Sequence, residues 1–218
     1  GLVSAAAVIL ILLPLSWMRP GDAETVSAGL RFRALLYFSL IGLACLFLEL
    51  AWIQRLQLFL GHPVYATTTV LAAFLVFAGL GSFWSQRRSG ASEGRMLWPA
   101  VLMILAFSLA YLLYLPGWLE QLAGLPITGR IALVLALLAP LAFAMGVPFP
   151  VGLSHLGDAA PGLVPWAWGI NGCASVVSAV AATLLAAEIG FNGLMLVALI
   201  CYLLLPAIGL QRIRGSAE

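Results

Sequence analysis

Residues 34–84 read ALLYFSLIGLACLFLELAWIQRLQLFLGHPVYATTTVLAAFLVFAGLGSFW. The first part of this stretch, residues 34–53, carries one charge, Glu49. A helix of that length rises about 30 Å, which is the thickness of the hydrocarbon core of a bilayer. A Gly-His-Pro corner then leads into a second apolar run over residues 63–84. The stretch therefore predicts a helical hairpin in a membrane.

The composition of the whole chain supports this interpretation. Hydrophobic residues make up 63% of the chain and charged residues 8%, whereas soluble proteins average about 25% charged residues. So few charges cannot cover a globule with a hydrated surface, so we expect the lipid bilayer to be the main solvent. The net charge of +2, without a basic stripe, argues against nucleic acid as a partner.

Seven apolar runs follow one another along the chain. The sequence predicts an all-α, polytopic transmembrane bundle of about seven spans, which occupies residues 1–218 as one domain. Because the chain begins at Gly1 and its first run has no charged leader region, we expect a processed chain or the C-terminal part of a longer protein. The spans are predicted at about 1–17, 34–53, 63–84, 96–115, 130–148, 166–188 and 191–210.

Proline and glycine separate these runs. A break after the fourth run is predicted by Pro116, Gly117, Gly124, Pro126 and Gly129. The PFPVGL stretch beginning at Pro148 predicts a broken connection after the fifth run. Such a broken stretch is either a simple helix end or an interrupted helix whose carbonyl groups face a cavity. The sixth and seventh runs meet at EIGFNG, which predicts antiparallel neighbouring helices.

Arginine placement predicts the orientation of the bundle, since all ten cationic residues are arginine. By the positive-inside rule the side richer in arginine is cytoplasmic, which predicts an outer N-terminus and an inner C-terminus. We expect a multi-pass protein of the bacterial cytoplasmic (inner) membrane. The predicted cytoplasmic side holds Arg19, Arg31, Arg33, Arg87, Arg88, Arg95, Arg212 and Arg214. The predicted outer side holds Arg55 and Arg130.

Small residues recur at helical spacing in the third and sixth runs. Such faces let helix backbones approach closely in a membrane, where no hydrophobic effect drives helices together. Both helices are therefore expected at the centre of the bundle. The two faces consist of Thr68, Ala72, Gly79 and Ser82, and of Asn171, Ala174, Ser175, Ser178 and Ala182.

Polar residues in or beside the spans are the candidates for function. Glu49 is expected to face protein, either as an ion, proton or cation site or as an interhelical hydrogen bond that fixes packing. Arg55 lies six residues further on, about 240° round a helix, so it cannot pair with Glu49 within the helix. We expect its side chain to extend to the outer headgroups.

Three further residues complete this possible intramembrane polar site. Glu188 either pairs with Arg55 or Arg130 or sits in the interface, and Asn171 requires a hydrogen-bonding partner from another helix. His62, beside a proline, is typical of a turn or helix start. With one other histidine, and with three cysteines (Cys45, Cys173 and Cys201) at no ligand spacing, the sequence predicts no metal, cofactor or catalytic residue.

Two stretches resemble a known family. ELAWIQR and LGHPVYA on either side of the first corner, with PWAWGING at the start of the sixth run, resemble the membrane part of bacterial spermidine-synthase-like integral membrane proteins. These are described as fused major-facilitator/spermidine-synthase proteins. The resemblance, over about residues 34–192, implies a membrane domain attached to a Rossmann-like aminopropyltransferase domain that takes a polyamine and decarboxylated S-adenosylmethionine. No such catalytic domain occurs in this chain.

Three functions follow as expectations. The first is a non-catalytic membrane domain or subunit that packs against other transmembrane helices in a larger protein or complex. The second is half of a transporter for a cationic or polyamine-like solute, with Glu49 and Glu188 as counter-charges. The third is the membrane anchor of an aminopropyltransferase whose catalytic domain lies elsewhere. The chain itself is not expected to be an enzyme.

Overall fold

A computed structural model describes residues 26–88, 93–122 and 124–208, apart from the side chains of residues 93–95, 116 and 120. This part of the chain is helical and contains no strand, so the predicted all-α class is confirmed for it. The predicted span at 1–17 lies outside the described residues. The helices are α1 (Ala28–Leu60), α2 (Pro63–Arg87), α3 (Glu93–Gln121), α4 (Ile127–Met145), α5 (Pro148–Ala159) and α6 (Val164–Ile208), with a 3-10 turn (Pro161–Leu163) before α6.

Five helical stretches in the described chain are long and apolar enough to cross a membrane. The helices extend beyond most of the predicted spans, because a helix continues past the hydrocarbon core into the headgroup region. The five stretches are Ala28–Leu60, Pro63–Arg87, Met96–Leu115, Ile127–Ala159 and Pro161–Ile208.

The last and longest stretch is folded back on itself at Gly190. This residue has φ 71° and ψ 174°, a conformation that in practice only glycine adopts. The first arm, residues 164–189, lies against α1, where Asn171 meets Gly42. The second arm, residues 191–208, begins beside Arg55 near the far end of α1.

The second arm then returns along α1. Asn192 bonds Arg55, and Tyr202, ten residues further, lies beside Cys45, which is ten residues closer to the start of α1. The two arms are therefore antiparallel, as the EIGFNG boundary predicts.

Helix α1 lies at the centre of the bundle and packs most extensively against α6. Its largest fully buried side chains are Tyr37, Phe38, Leu48, Trp52 and Leu56. At about 100° per residue, these five side chains lie within about 100° of one another round the helix, so they form one buried face of α1.

A second close crossing joins α2 to α4. A Cβ atom on Gly81 would collide with the carbonyl oxygen of Phe143, and a Cβ atom on Gly146 would collide with the carbonyl oxygen of Ala78. The two backbones therefore touch, which is the arrangement that small residues permit in membrane helices.

The small-residue prediction is confirmed for α6 and wrong for α2. Thr68, Ala72 and Gly79 are exposed, and Ser82 is half-buried. Since α2 carries small residues on two faces, spacing alone selected the wrong one. The face that packs within the described chain contains Ala66, Thr69, Ala73, Gly81 and Ser85.

Both predicted breaks are present, but the residues around them differ from the prediction. Helix α3 continues through Pro116 and Gly117 and ends at Gln121, so the first break falls later, before α4 begins at Ile127. Helix α4 ends at Met145, just before the PFPVGL stretch, and residues 148–159 form helix α5 instead of a loop. Pro148 occupies the first turn of α5, where the missing N–H of proline costs nothing. Proline at this position begins a helix and does not interrupt one.

The described arginines lie at the two ends of the bundle as the sequence predicts. Arg31 and Arg33 lie on the first turns of α1, and α2 returns to that end to finish at Arg87 and Arg88. At the opposite end Arg130 donates to the carbonyl oxygen of Phe59 at 2.8 Å. Arg19, Arg212 and Arg214, and the side chain of Arg95, lie outside the described structure.

Candidate functional site

Arg55 joins three helices near the end of α1. Its Nη1 donates to Oδ1 of Asn192 at 2.8 Å, and its Nη2 lies 3.5 Å from the carbonyl oxygen of Leu112 on α3. The side chain is half-buried. The guanidinium thus bonds within the protein instead of extending to the headgroups, because the chain reversal at Gly190 brings Asn192 within reach.

Glu49 lies on α1 about nine Å of helical rise from Arg55. Its side chain is half-buried, and within the described chain no ion pair or hydrogen bond to the carboxylate is present. Cys45 lies one turn earlier on the same helix, close enough for its thiol to interact electrostatically with the Glu49 carboxylate. Glu49 is therefore an acid near the middle of a long apolar helix, with neither an arginine nor an amide against it.

Two buried tyrosines, Tyr202 and Tyr37, place hydroxyl groups in the interior between Glu49 and the arginine-rich end of the bundle. The hydroxyl of Tyr202, fully buried on the second arm of α6, lies beside Cys45 and has no hydrogen bond of good geometry within the described chain. Tyr37 donates from its buried hydroxyl to the carbonyl oxygen of Pro148 at 2.7 Å. This bond fixes the start of α5 against α1.

Asn171 lies at the close crossing of α1 and the first arm of α6. A Cβ atom on Gly42 would stand 2.6 Å from the carbonyl oxygen of Asn171. Ser175 donates to that same carbonyl at 2.9 Å, and Ser178 lies 3.4 Å from the carbonyl oxygen of Leu43. The amide oxygen Oδ1 of Asn171 is buried and has no partner among the described residues.

His62 and Glu188 lie outside this interior. His62 is exposed, and its Nδ1 accepts from the backbone N–H of Val64 at 3.2 Å as the N-cap of α2. Glu188 is exposed at the end of the first arm of α6, and in the described structure it makes no ion pair with Arg55. Its carboxylate is therefore placed where water and headgroups can solvate it.

The five predicted polar residues are not brought together into one site. Arg55 lies near one end of α1, Glu49 near its middle, and Asn171 beside Gly42 further toward the other end. Among the described residues no group of His, Cys, Asp and Glu could hold a metal ion.

The sequence analysis did not consider the N–H and hydroxyl groups of Trp and Tyr, because these residues were counted as apolar members of the runs. Trp52 packs edge-on against Tyr111 at 5.4 Å between ring centroids, and Tyr111 donates to the carbonyl oxygen of Leu137 on α4. The indole N–H of Trp52 is buried without a partner in the described chain. Each Tyr or Trp within an apolar run could have been identified as a candidate polar contact, because a buried Tyr hydroxyl or Trp N–H usually makes a hydrogen bond.

Comparison with family models, curated proteins and solved structures finds no match for this chain. The resemblance to spermidine-synthase-like membrane proteins therefore stays a prediction.

Proposed function

We propose that this chain is a non-catalytic integral membrane domain or subunit that packs against other transmembrane helices in a larger protein or complex. The observation that carries the proposal is a face of α2 that no described residue covers. Thr68, Ala72 and Gly79 are exposed there, and a Cβ atom on Gly79 would meet nothing within 4 Å. Elsewhere on the same helix, at Gly81, small residues are in contact with a neighbouring backbone.

Lipid chains make few additional van der Waals contacts with a surface of small residues, whereas a second helix can bring its backbone into close contact with it. The Thr68 hydroxyl already donates to the carbonyl oxygen of Val64 at 2.7 Å. This face can therefore be buried by an apolar neighbour without leaving that donor unpaired. The partner helix belongs either to the rest of this polypeptide or to another subunit.

Photo-crosslinking in native membranes tests the proposal. A benzophenone side chain at Gly79 in the full-length gene product is expected to form an adduct with a transmembrane peptide, identified by mass spectrometry. The matched control is the same group at Ala106, a small exposed residue in the middle of α3. Absence of a peptide adduct at Gly79, or an equal yield at Ala106, would overturn the proposal.

The membrane placement belongs to the same proposal. We infer about seven spans in the bacterial cytoplasmic membrane, with the N-terminus outside and the C-terminus inside. The arginines at the two ends of the bundle support this orientation, since Arg31, Arg33, Arg87 and Arg88 share one end.

A second candidate, half of a transporter for a cationic solute, is favoured by Glu49. An acid within an apolar helix is costly, and such residues commonly mark ion or substrate pathways. The half-buried carboxylate has no ion pair within the described chain, so a cation could serve as its partner. Uptake of labelled spermidine into vesicles should fall at least tenfold in Glu49→Gln and stay within twofold in Glu188→Gln. Unchanged uptake in Glu49→Gln, or no uptake by the parent, excludes this candidate.

A further inference from the structure

A groove lies between the start of α1 and the start of α6, at the arginine-rich end of the bundle. Its volume is about 240 Å³. The residues that define its shape and charge are Arg31, Leu35, Leu163, Trp166 and Ile170.

The lining of this groove changes from polar to apolar along the helices. Arg31 and Leu163 lie at the end of the bundle, whereas Leu35 and Ile170 lie at least one turn deeper. Trp166 is half-buried between these levels, and tryptophan is enriched at the headgroup level of membranes. With the proposed membrane placement, this groove would lie at the boundary between headgroups and acyl chains.

Arg31 gives the groove its charge. The side chain is exposed and, within the described residues, makes no hydrogen bond or ion pair with the protein. A guanidinium is always charged, and its planar donors match the oxygens of a phosphate. A cation at the rim of an apolar groove is complementary to a molecule with an anionic head and a hydrocarbon tail.

We propose that this groove binds an anionic phospholipid of the adjacent leaflet, with the phosphate on Arg31 and one acyl chain against Leu35 and Ile170. Basic sites between transmembrane helices bind anionic headgroups in this way. The inference rests on the membrane placement proposed above and is independent of the packing of α2 against another helix, so a failed crosslinking test at Gly79 would leave it standing.

Native mass spectrometry of the detergent-purified protein tests the site with dioleoyl phosphatidylglycerol and dioleoyl phosphatidylcholine. The parent is expected to retain phosphatidylglycerol in preference. Arg31→Gln should weaken that binding about fivefold, the effect of one arginine near the membrane surface. Arg33→Gln is the matched control, because Arg33 is also exposed on the same helix and does not line the groove.

The acyl chain and the headgroup are tested separately. Ile170→Trp should lower binding of phosphatidylglycerol by filling the groove, with the melting temperature showing that the variant is folded. Glycerol 3-phosphate, which has the headgroup charge without a chain, should not compete. Equal loss in Arg31→Gln and Arg33→Gln would mean a diffuse charge effect and overturns the proposal. Unchanged binding in Arg31→Gln, as when another part of this chain or a second copy fills the groove, also overturns it.

Discussion

Gly79 and Gly81 lie two residues apart on α2 and face opposite environments. A methyl group on Gly81 would collide with the backbone of Phe143, whereas one on Gly79 would enter open space. Because overpacking typically costs about 1–3 kcal/mol, Gly81→Ala should lower the free energy of unfolding by that amount. Gly79→Ala should leave it unchanged or raise it by up to about 1 kcal/mol through helix propensity. Unfolding in detergent micelles, followed by circular dichroism, measures both.

Equal effects of these two substitutions would show that α2 and α4 do not touch at Gly81. The sequence could reveal that α2 is rich in small residues, but not which of its two faces is buried. Thr68, Ala72 and Gly79, at steps of 4 and 7 residues, fit one helix face as well as Ala66, Ala73 and Gly81, at steps of 7 and 8, fit another. The choice between them depends on the position of α4, which is remote in sequence.

The buried hydroxyl of Tyr37 gives a second prediction for a single residue. Its hydrogen bond to the carbonyl oxygen of Pro148 is removed in Tyr37→Phe, while the ring remains packed. The free energy of unfolding should fall by about 0.5–1.5 kcal/mol. The control is Tyr114→Phe, since Tyr114 is 63% exposed and should tolerate the change. A loss of the same size in both variants would contradict a specific role for the bond.

At the scale of elements, Gly190 decides whether α6 is one helix or two arms. Its conformation, φ 71° and ψ 174°, costs about 1–3 kcal/mol in a residue with a side chain. Gly190→Ala should therefore destabilise the protein by that amount and loosen the second arm where Asn192 bonds Arg55. Hydrogen exchange in the EIGFNG segment should rise in the variant.

The control for this element is Gly172→Ala, because Gly172 is helical and a methyl group there meets nothing within 4 Å. Loss of stability in Gly172→Ala equal to that in Gly190→Ala would contradict the special role of the reversal.

At this scale, the sequence did not predict how the prolines affect the beginnings and ends of the helices. The long apolar runs predicted the helices well, since hydropathy and length alone fix them. Pro116 and Pro148 were both interpreted as breaks, yet Pro116 lies within α3 and Pro148 starts α5. Proline excludes one backbone hydrogen bond and leaves open whether a helix begins, continues or ends. Only tertiary contacts, such as Tyr37 on Pro148, decide between these outcomes.

At the scale of the whole molecule, the polar side chains along α1 are separated by the helices that pack on it. Arg55 contacts α3 and the second arm of α6, while Gly42 contacts Asn171 on the first arm. The sequence identified Glu49, Arg55 and Asn171 as unusual, because polar groups inside apolar runs are rare. It could not place Asn171 relative to the other two, since that depends on how the first arm of α6 packs against α1 at Gly42.

The arrangement of the two ends predicts which positions a membrane-impermeant reagent can reach. Gln86 is exposed on the last turn of α2 at the arginine-rich end, and Gly124 is exposed between α3 and α4 at the other. In intact spheroplasts a maleimide should label Gly124→Cys, whereas Gln86→Cys should react only after the membrane is permeabilised. The parent is the control and should stay unlabelled, because its cysteines lie within helices. The reverse pattern would invert the proposed orientation. Labelling of both variants in intact spheroplasts would place both ends of the bundle on the same side of the membrane and contradict the proposal that its helices cross it.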